Sequence, residues 1–299
     1  LVTTLCGANG FQLGSAVIVA PHKVVTNCHV TRHAQRIAVL KHGRRHYADA
    51  QLADVARDLC LLRVPTLEGD AVPIGRAAVL KVGEPVTAVG YTGGIGIQLS
   101  DGEVVARHRW SGSDVIQSSN WFSSGASGGA LFDPRGALVG ILTFRLRGGA
   151  SHYFSAPADW LLDRLNDEHA FVPVEPLDGL TFWEAPLAEQ PLFLRAAAMK
   201  LDGQWPALAQ LAERRLGDAP DDPEAHYLRG VALDELAQAD AAIESLRHCI
   251  AQDPGYSQAW VRLAQLYRKQ GRWDEARRMV HALALDDPRT AAHVAAELE

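Results

Sequence analysis

Ser123-Ser124-Gly125-Ala126-Ser127-Gly128-Gly129-Ala130-Leu131-Phe132 sets one serine among glycines, directly ahead of a strand-like apolar run. Glycines on both sides of a serine let the backbone turn tightly enough to aim N–H groups at a developing oxyanion, and they leave the hydroxyl open to approach. Gly-rich serine turns also do purely structural work, and taken alone this segment reads more readily as a turn than as a nucleophile. A serine hydroxyl attacks poorly until a base removes its proton, so the decision rests on whether the chain also supplies a histidine and a carboxylate in suitable surroundings.

Both occur upstream. His29 lies in Val24-Val25-Thr26-Asn27-Cys28-His29-Val30, after a β-rich segment that opens with Gly14-Ser15-Ala16. Asp58 lies in Arg57-Asp58-Leu59-Cys60-Leu61-Leu62, a polar residue entering an apolar strand. From Leu1 to about Val139 the chain is a series of short β-branched runs separated by Gly, Asp and Pro: 14–20, 23–26, 36–40, 59–64, 86–89, 103–106, 115–117 and 137–144. Strands at this spacing without helical patterns between them predict an all-β barrel or sandwich. Pro157-Ala158-Asp159 reads as the start of a closing helix over Trp160 to Leu165.

Residues 10 to 165 resemble the chymotrypsin-like serine peptidases, and within them the trypsin-like bacterial branch that includes the HtrA (Deg) proteases. His29 in Thr-Asn-x-His-Val, Asp58 in Asp-Leu-x-Leu-Leu and Ser127 in Gly-x-Ser-Gly-Gly follow the family order. Ile116-Gln117, Leu138-Val139-Gly140-Ile141 and Phe154-Ser155-Ala156-Pro157 agree as well. The resemblance implies a double β-barrel with the triad between barrels. Ser127 is then the nucleophile, His29 the general base and acid, and Asp58 the group that holds the imidazole tautomer. The backbone N–H groups of Gly125 and Ser127 are the implied oxyanion donors.

Departures from the family are informative. Digestive members carry an Asp just before the nucleophile, which pairs with a newly freed N-terminus; here that position is Ala126, and there is no Ile-Val-Gly-Gly start, so activation by N-terminal processing is not expected. Trp121, six residues before Ser127, stands where the family floors its primary pocket, and Thr143 is a second pocket candidate. Without an acidic floor the expected preference is a small or medium apolar side chain before the cleaved bond, unless Trp121 simply packs. The family fold brings the segments of Cys28 and Cys60 together, which allows a bridge, while two small buried thiols would serve equally.

After Ala188 the texture changes to Ala, Leu, Arg, Glu and Gln at helical spacing, with a 34-residue period. Pro220, Pro254 and Pro288 keep that period, as do Ala242 and Ala276, and Gly203-Gln204-Trp205 recurs as Gly271-Arg272-Trp273. Trp260, Leu263, Ala264, Tyr267, Gly271, Ala276 and Pro288 fall on the pattern of tetratricopeptide repeats, which this part of the chain resembles: three units and a terminal helix over Thr290 to Glu299. The expected organisation is a peptidase domain over 1–168, a Pro-containing linker over 169–187 and the repeats over 188–299. The repeat register puts Glu224, Tyr227, Val231, Asp234, Gln258, Val261, Gln265 and Arg268 on a concave face for a protein or peptide partner, the alternative being a packing or dimerisation platform.

Composition narrows the remaining classes. The 299 residues are 47% apolar and 21% charged with a net charge of −6, which argues against nucleic-acid binding by phosphate neutralisation. No run approaches the ~20 apolar residues of a membrane span. His29/His33 and His42/His46 lack the third ligand of a zinc peptidase, so neither metal nor cofactor is expected. A lipase-type elbow would need alternating strands and helices, which are absent here. The expected activity is serine endopeptidase, with the repeats recruiting substrate or partner. The rival is a catalytically silent peptidase-shaped scaffold working through its repeats. The Deg resemblance implies a periplasmic or envelope setting and leaves the cytoplasm open.

Overall fold

The β-branched runs of the first half become strands whose inward positions are the apolar ones. In chain order they are β1 (Val2–Cys6), β2 (Gly10–Gly14), β3 (Val17–Ala20), β4 (Lys23–Thr26), β5 (Arg36–Lys41), β6 (Arg44–Tyr47), β7 (Ala50–Asp54) and β8 (Leu59–Arg63). A second set follows: β9 (Pro85–Thr92), β10 (Gly96–Trp110), β11 (Ser113–Ser118), β12 (Ala130–Phe132), β13 (Leu138–Arg145) and β14 (Tyr153–Pro157), with a late two-residue strand β15 (Val172–Pro173). This computed structural model describes residues 2–6, 10–93, 96–146, 153–285 and 287–298. It divides into two units, Leu1–Leu80 with Glu84–Gln190 and Lys81–Gly83 with Pro191–Glu299.

In the first unit, β2-β1-β5-β6 and β15-β7-β8-β4-β3 form two antiparallel sheets. They share a core of Val24, Val30, Ala34, Ile37, Val39, Leu62, Val64 and Leu67. The second set closes into a barrel in the order β10-β11-β14-β13-β12-β9. Strand β9 alternates outward and inward along its length, the half-buried pattern that directs Val86 and Ala88 into the barrel core. The architecture is the chymotrypsin-like β-barrel fold.

Two expectations give way here. The run 14–20 is not one strand: it breaks at Ser15-Ala16, so that β2 and β3 lie in different sheets. The break is held by polar groups, since Ser15 N–H donates to Ser127 O at 2.7 Å and Ser15 Oγ to Gly125 O at 2.8 Å. The stretch 169–187 is not a free spacer. Val172 and Pro173 pair with Gln51 and Ala50, Gln51 Nε2 donates to Glu175 O at 2.7 Å, and Leu177 N–H donates to Arg32 O at 2.7 Å. The missing periodicity of this strap reflects contacts made to other segments instead of to itself.

The second unit is helical: α3 (Leu192–Leu201), α4 (Trp205–Asp218), α5 (Pro223–Glu235), α6 (Ala239–Gln252), α7 (Ser257–Lys269), α8 (Trp273–Leu283) and α9 (Pro288–Leu298), after the short α1 (Cys28–Thr31) and α2 (Asp159–Leu162) of the first unit. α2 is shorter than the helix expected over 160–165. Of the 34-residue landmarks, Pro220 and Pro254 lie in the turns after α4 and α6, Pro288 opens α9, and Gly203 and Gly271 lie in the turns before α4 and α8. Asp222 caps α5 by accepting from Ala225 N–H at 3.1 Å, and Pro223 follows at the first helical position, where its missing N–H costs nothing. Ala242 and Ala276 are fully buried. A Cβ on Gly230 would lie 2.7 Å from Leu246 Cγ, which is how closely α5 and α6 approach. Of the positions expected on the concave face, Val231 is 6% exposed and belongs to the packing; Tyr227, Asp234 and Gln258 are half-buried. Tyr227 packs on Tyr256 with centroids 5.0 Å apart, and its hydroxyl is pushed up to about 12 by burial. Asp234 pairs with Arg262 at 2.6 Å. Among the described residues no helix is long and apolar enough to cross a membrane.

Candidate active site

His29 sits on α1 immediately after β4, and Asp58 ends the turn between β7 and β8. Asp58 takes φ +59°, a left-handed conformation that a short polar side chain tolerates better than a branched one, with its N–H donating to Val55 O at 3.0 Å. The turn lifts the carboxylate away from the strand and under His29. His29 N–H donates to Asp58 Oδ1 at 2.8 Å, and the ring pairs with Oδ2 at 2.6 Å through Nδ1. A carboxylate can only accept, so Nδ1 carries a proton, and in the neutral imidazole the lone pair lies on Nε2.

The two segments are fastened at further points. Asn27 Nδ2 donates to Asp58 O at 2.9 Å and to Thr143 Oγ1 at 3.3 Å, linking β4, the Asp58 turn and β13. Cys28 and Cys60 form a disulfide with Cα atoms 5.0 Å apart. Trp183 Nε1, from the strap, donates to Asp58 Oδ2 at 2.9 Å. Asp58 is fully buried, and its carboxylate accepts from His29 N–H, His29 Nδ1 and Trp183 Nε1 in place of water.

The loop that carries Ser127 is tied to the corner between β2 and β3. Ser15 anchors it through Gly125 O and Ser127 O as described, and Tyr91 N–H donates to Ser15 Oγ at 2.8 Å. Gly128 takes φ +85°, and a Cβ there would stand 2.2 Å from Ser15 O and 2.3 Å from Thr26 Oγ1. Only glycine lets the loop lie this close to the end of β4, two residues before Cys28 and three before His29. Within the loop, Ala126 N–H donates to Ser123 O at 3.0 Å, Gly128 N–H to Leu142 O at 2.9 Å and Gly129 N–H to Ala126 O at 2.8 Å. Among the described residues the N–H groups of Gly125 and Ser127 have no backbone acceptor. Ser127 Oγ donates to Thr143 O at 3.4 Å, not to His29.

Trp121 is half-exposed and lines a small pocket with Leu99, Phe122, Ala126, Leu142 and Thr92. Thr143 does not line it. Its side chain is buried at 2% exposure and engaged by Ile141 O, Asn27 Nδ2 and Ala156 N–H, so its contribution to the site is its carbonyl. Ser15, Asn27 and Trp183 escape a reading of local motifs because their roles are contacts across the fold; only the aromatic pair Phe182-Trp183, unusual in a polar Pro-rich stretch, hinted that the strap was packed. Among the described residues no group of three His, Cys, Asp or Glu side chains could hold a metal.

Comparison with known proteins agrees with this geometry. Residues 14–141 match the trypsin-like peptidase domain, and residues 235–297 the tetratricopeptide repeat. Serine protease HTRA4 of Mus musculus is 31% identical over 243 residues, covering 78% of this chain and 46% of that protein. The periplasmic serine endoprotease DegP of Salmonella typhimurium is 35% identical over 153 residues, 46% of this chain and 32% of its own length. The chain therefore spans about half or less of the length of these curated relatives. Among solved structures, the HtrA-type protease AlgW with tripeptide has a TM-score of 0.51 at 30% identity, covering 57% of this chain and 60% of the other. The Rv3671c protease from M. tuberculosis in its active form shares the fold, with a TM-score of 0.54 at 24% identity over 59% of this chain and 82% of that one. The first unit is thus a trypsin-like serine peptidase domain. More particularly, it is HtrA-like, and tetratricopeptide repeats follow it in the chain.

Proposed function

We propose that the chain is a serine endopeptidase in which Ser127, His29 and Asp58 form the catalytic triad. The observation that carries this reading is the pairing of His29 Nδ1 with a buried Asp58 that leads into β8, the neighbour of β4, while Ser15, just ahead of β3, holds the loop that carries Ser127. Rotation about the Ser127 side chain takes Oγ from Thr143 O toward His29 Nε2; catalytic hydrogen bonds are commonly loose until substrate arrives. Oγ then attacks the scissile carbonyl carbon while Nε2 takes its proton, and Asp58 offsets the charge on the imidazolium. The tetrahedral oxygen is held by the N–H groups of Gly125 and Ser127, each worth about 3 kcal/mol in the transition state. Collapse expels the amine, which receives the proton from Nε2, and water repeats the sequence on the acyl-enzyme.

Among the described residues the pocket beside Ala126 is lined by Trp121, Phe122, Leu99 and Leu142 with the uncharged Gln98 and Ser100, which supports an apolar side chain before the cleaved bond. The repeats offer half-buried polar and aromatic side chains to a protein substrate or partner, and the likeness to periplasmic DegP supports an envelope setting. A fluorophosphonate probe tests the reading: wild type is labelled at Ser127 and cleaves casein, whereas S127A does neither. A folded wild-type protein left unlabelled would identify a peptidase-shaped scaffold instead.

A further inference from the structure

We infer that Trp183 is a positioning residue of the triad: its indole N–H completes the hydrogen bonding of Asp58, and its ring covers the imidazole of His29. This rests on the proposed roles of His29, Asp58 and Ser127. A buried carboxylate is stable only when donors replace its lost water, and Asp58 takes two of its three side-chain donors from His29 itself. Trp183 Nε1 is the third, at 2.9 Å, and the one that comes from outside the pair. It therefore fixes the carboxylate independently of the group that the carboxylate must orient.

The indole is itself held in place. Its ring meets the imidazole edge-on, with centroids 5.3 Å apart at 88°, and lies nearly flat on Phe144 at 5.3 Å and 16°. Next to it, Phe182 is buried against Trp110 at 4.5 Å and Phe144 at 5.7 Å. Phe182 N–H donates to Ala56 O at 2.9 Å, two residues before Asp58. Glu184 forms an ion pair with Arg32, three residues after His29, and accepts from Thr181 Oγ1 at 2.9 Å. Gln190 Nε2 closes the turn on Trp183 O at 3.1 Å and Ala185 O at 2.8 Å. The strap is thus fastened to the segments that carry His29 and Asp58, on either side of the indole it delivers. A tryptophan that served packing alone would need its ring in this place, but not its N–H on the Asp58 oxygen that His29 uses.

W183F separates the two roles, since it keeps an aromatic ring against Phe144 and removes the donor. In the full chain, acylation of Ser127 should slow about tenfold at unchanged KM, in keeping with loss of one hydrogen bond to a charged group. The melting temperature should fall by only a few degrees, far less than the fall expected if the ring itself were lost. Independently of turnover, the proton NMR resonance of the His29 Nδ1–H should move downfield in W183F, because an oxygen relieved of one donor accepts more strongly from the other. W183A, which also uncovers the imidazole, should lose more activity than W183F. An unmoved resonance, or a kcat within about twofold of wild type at equal stability, would overturn the inference. The resonance can be read whether or not the protein cleaves anything. A wild-type chain that is never labelled at Ser127 would therefore sink the peptidase reading separately, leaving the Trp183 contact to stand or fall on the spectrum.

Discussion

Removing the Cys28–Cys60 bridge by the paired substitution Cys28→Ala and Cys60→Ala should destabilise the first unit far more than it alters the folded site. The bridge spans a sequence separation of 32 residues. Closing a loop of this length removes about 3.7 kcal/mol of chain entropy from the unfolded state on the entropic account of disulfides. For a unit of this size each kcal/mol shifts the melting temperature by about 2–4 °C, so a fall of about 7–15 °C is expected. Both cysteines are fully buried, so truncation adds a smaller packing loss in the same direction. In the folded state the His29 and Asp58 segments remain joined by two hydrogen bonds between those residues and by Asn27 Nδ2 on Asp58 O. The rate of fluorophosphonate labelling well below the melting temperature should therefore drop only a few-fold. Differential scanning calorimetry of the oxidised wild type, of wild type with a reductant, and of the double variant measures the first effect. If all three melt within about 2 °C of one another, the constraint assigned to this bridge is refuted.

Other perturbations test separate parts of the construction. Gly128→Ala would force a Cβ to within 2.2 Å of Ser15 O at a backbone φ of +85°, costing on the order of 2–4 kcal/mol and displacing Ser127; a lowered melting temperature with loss of probe labelling is expected. Burial pushes the Glu184 carboxyl up, but hydrogen bonds from Arg32 and Thr181 outweigh it and hold the group below the ordinary glutamate value. Its contribution to the strap is therefore present above about pH 4.3 and is lost as pH falls through the lower value of the folded state. Hydrogen exchange over 177–190, compared with E184Q at matched pH, should show extra protection in wild type near neutrality that disappears in acid. Equal protection of the two proteins near neutrality would count against the anchor.

The residues proposed as the triad could be singled out because each sits in a short context with its own local logic: a polar residue at the mouth of an apolar strand for Asp58, a glycine-flanked turn for Ser127. The repeats were legible because their landmarks return every 34 residues. The corner at Ser15 was not, since Gly14 to Ala20 keeps a continuous β-like composition and the break is made by hydrogen bonds to residues about 110 positions away, with Ser15 Oγ on Gly125 O. Thr143, expected as a second pocket residue, has its side chain buried among three polar partners. The strap was the least readable part, because a segment stabilised by foreign strands and rings leaves no period of its own. Its lack of pattern resembled a tether when it was in fact a fitted piece.

The order in which the ribosome makes these parts gives the strap a further meaning. His29, Asp58 and Ser127 have all been synthesised before residue 130, yet the indole that touches Asp58 arrives more than 50 residues after the serine. A fragment cut after β14 would carry all three of these residues and every strand except β15 while leaving the buried aspartate one donor short. Recombinant boundaries drawn from barrel homology alone would produce such a fragment, and its behaviour would understate the natural chain.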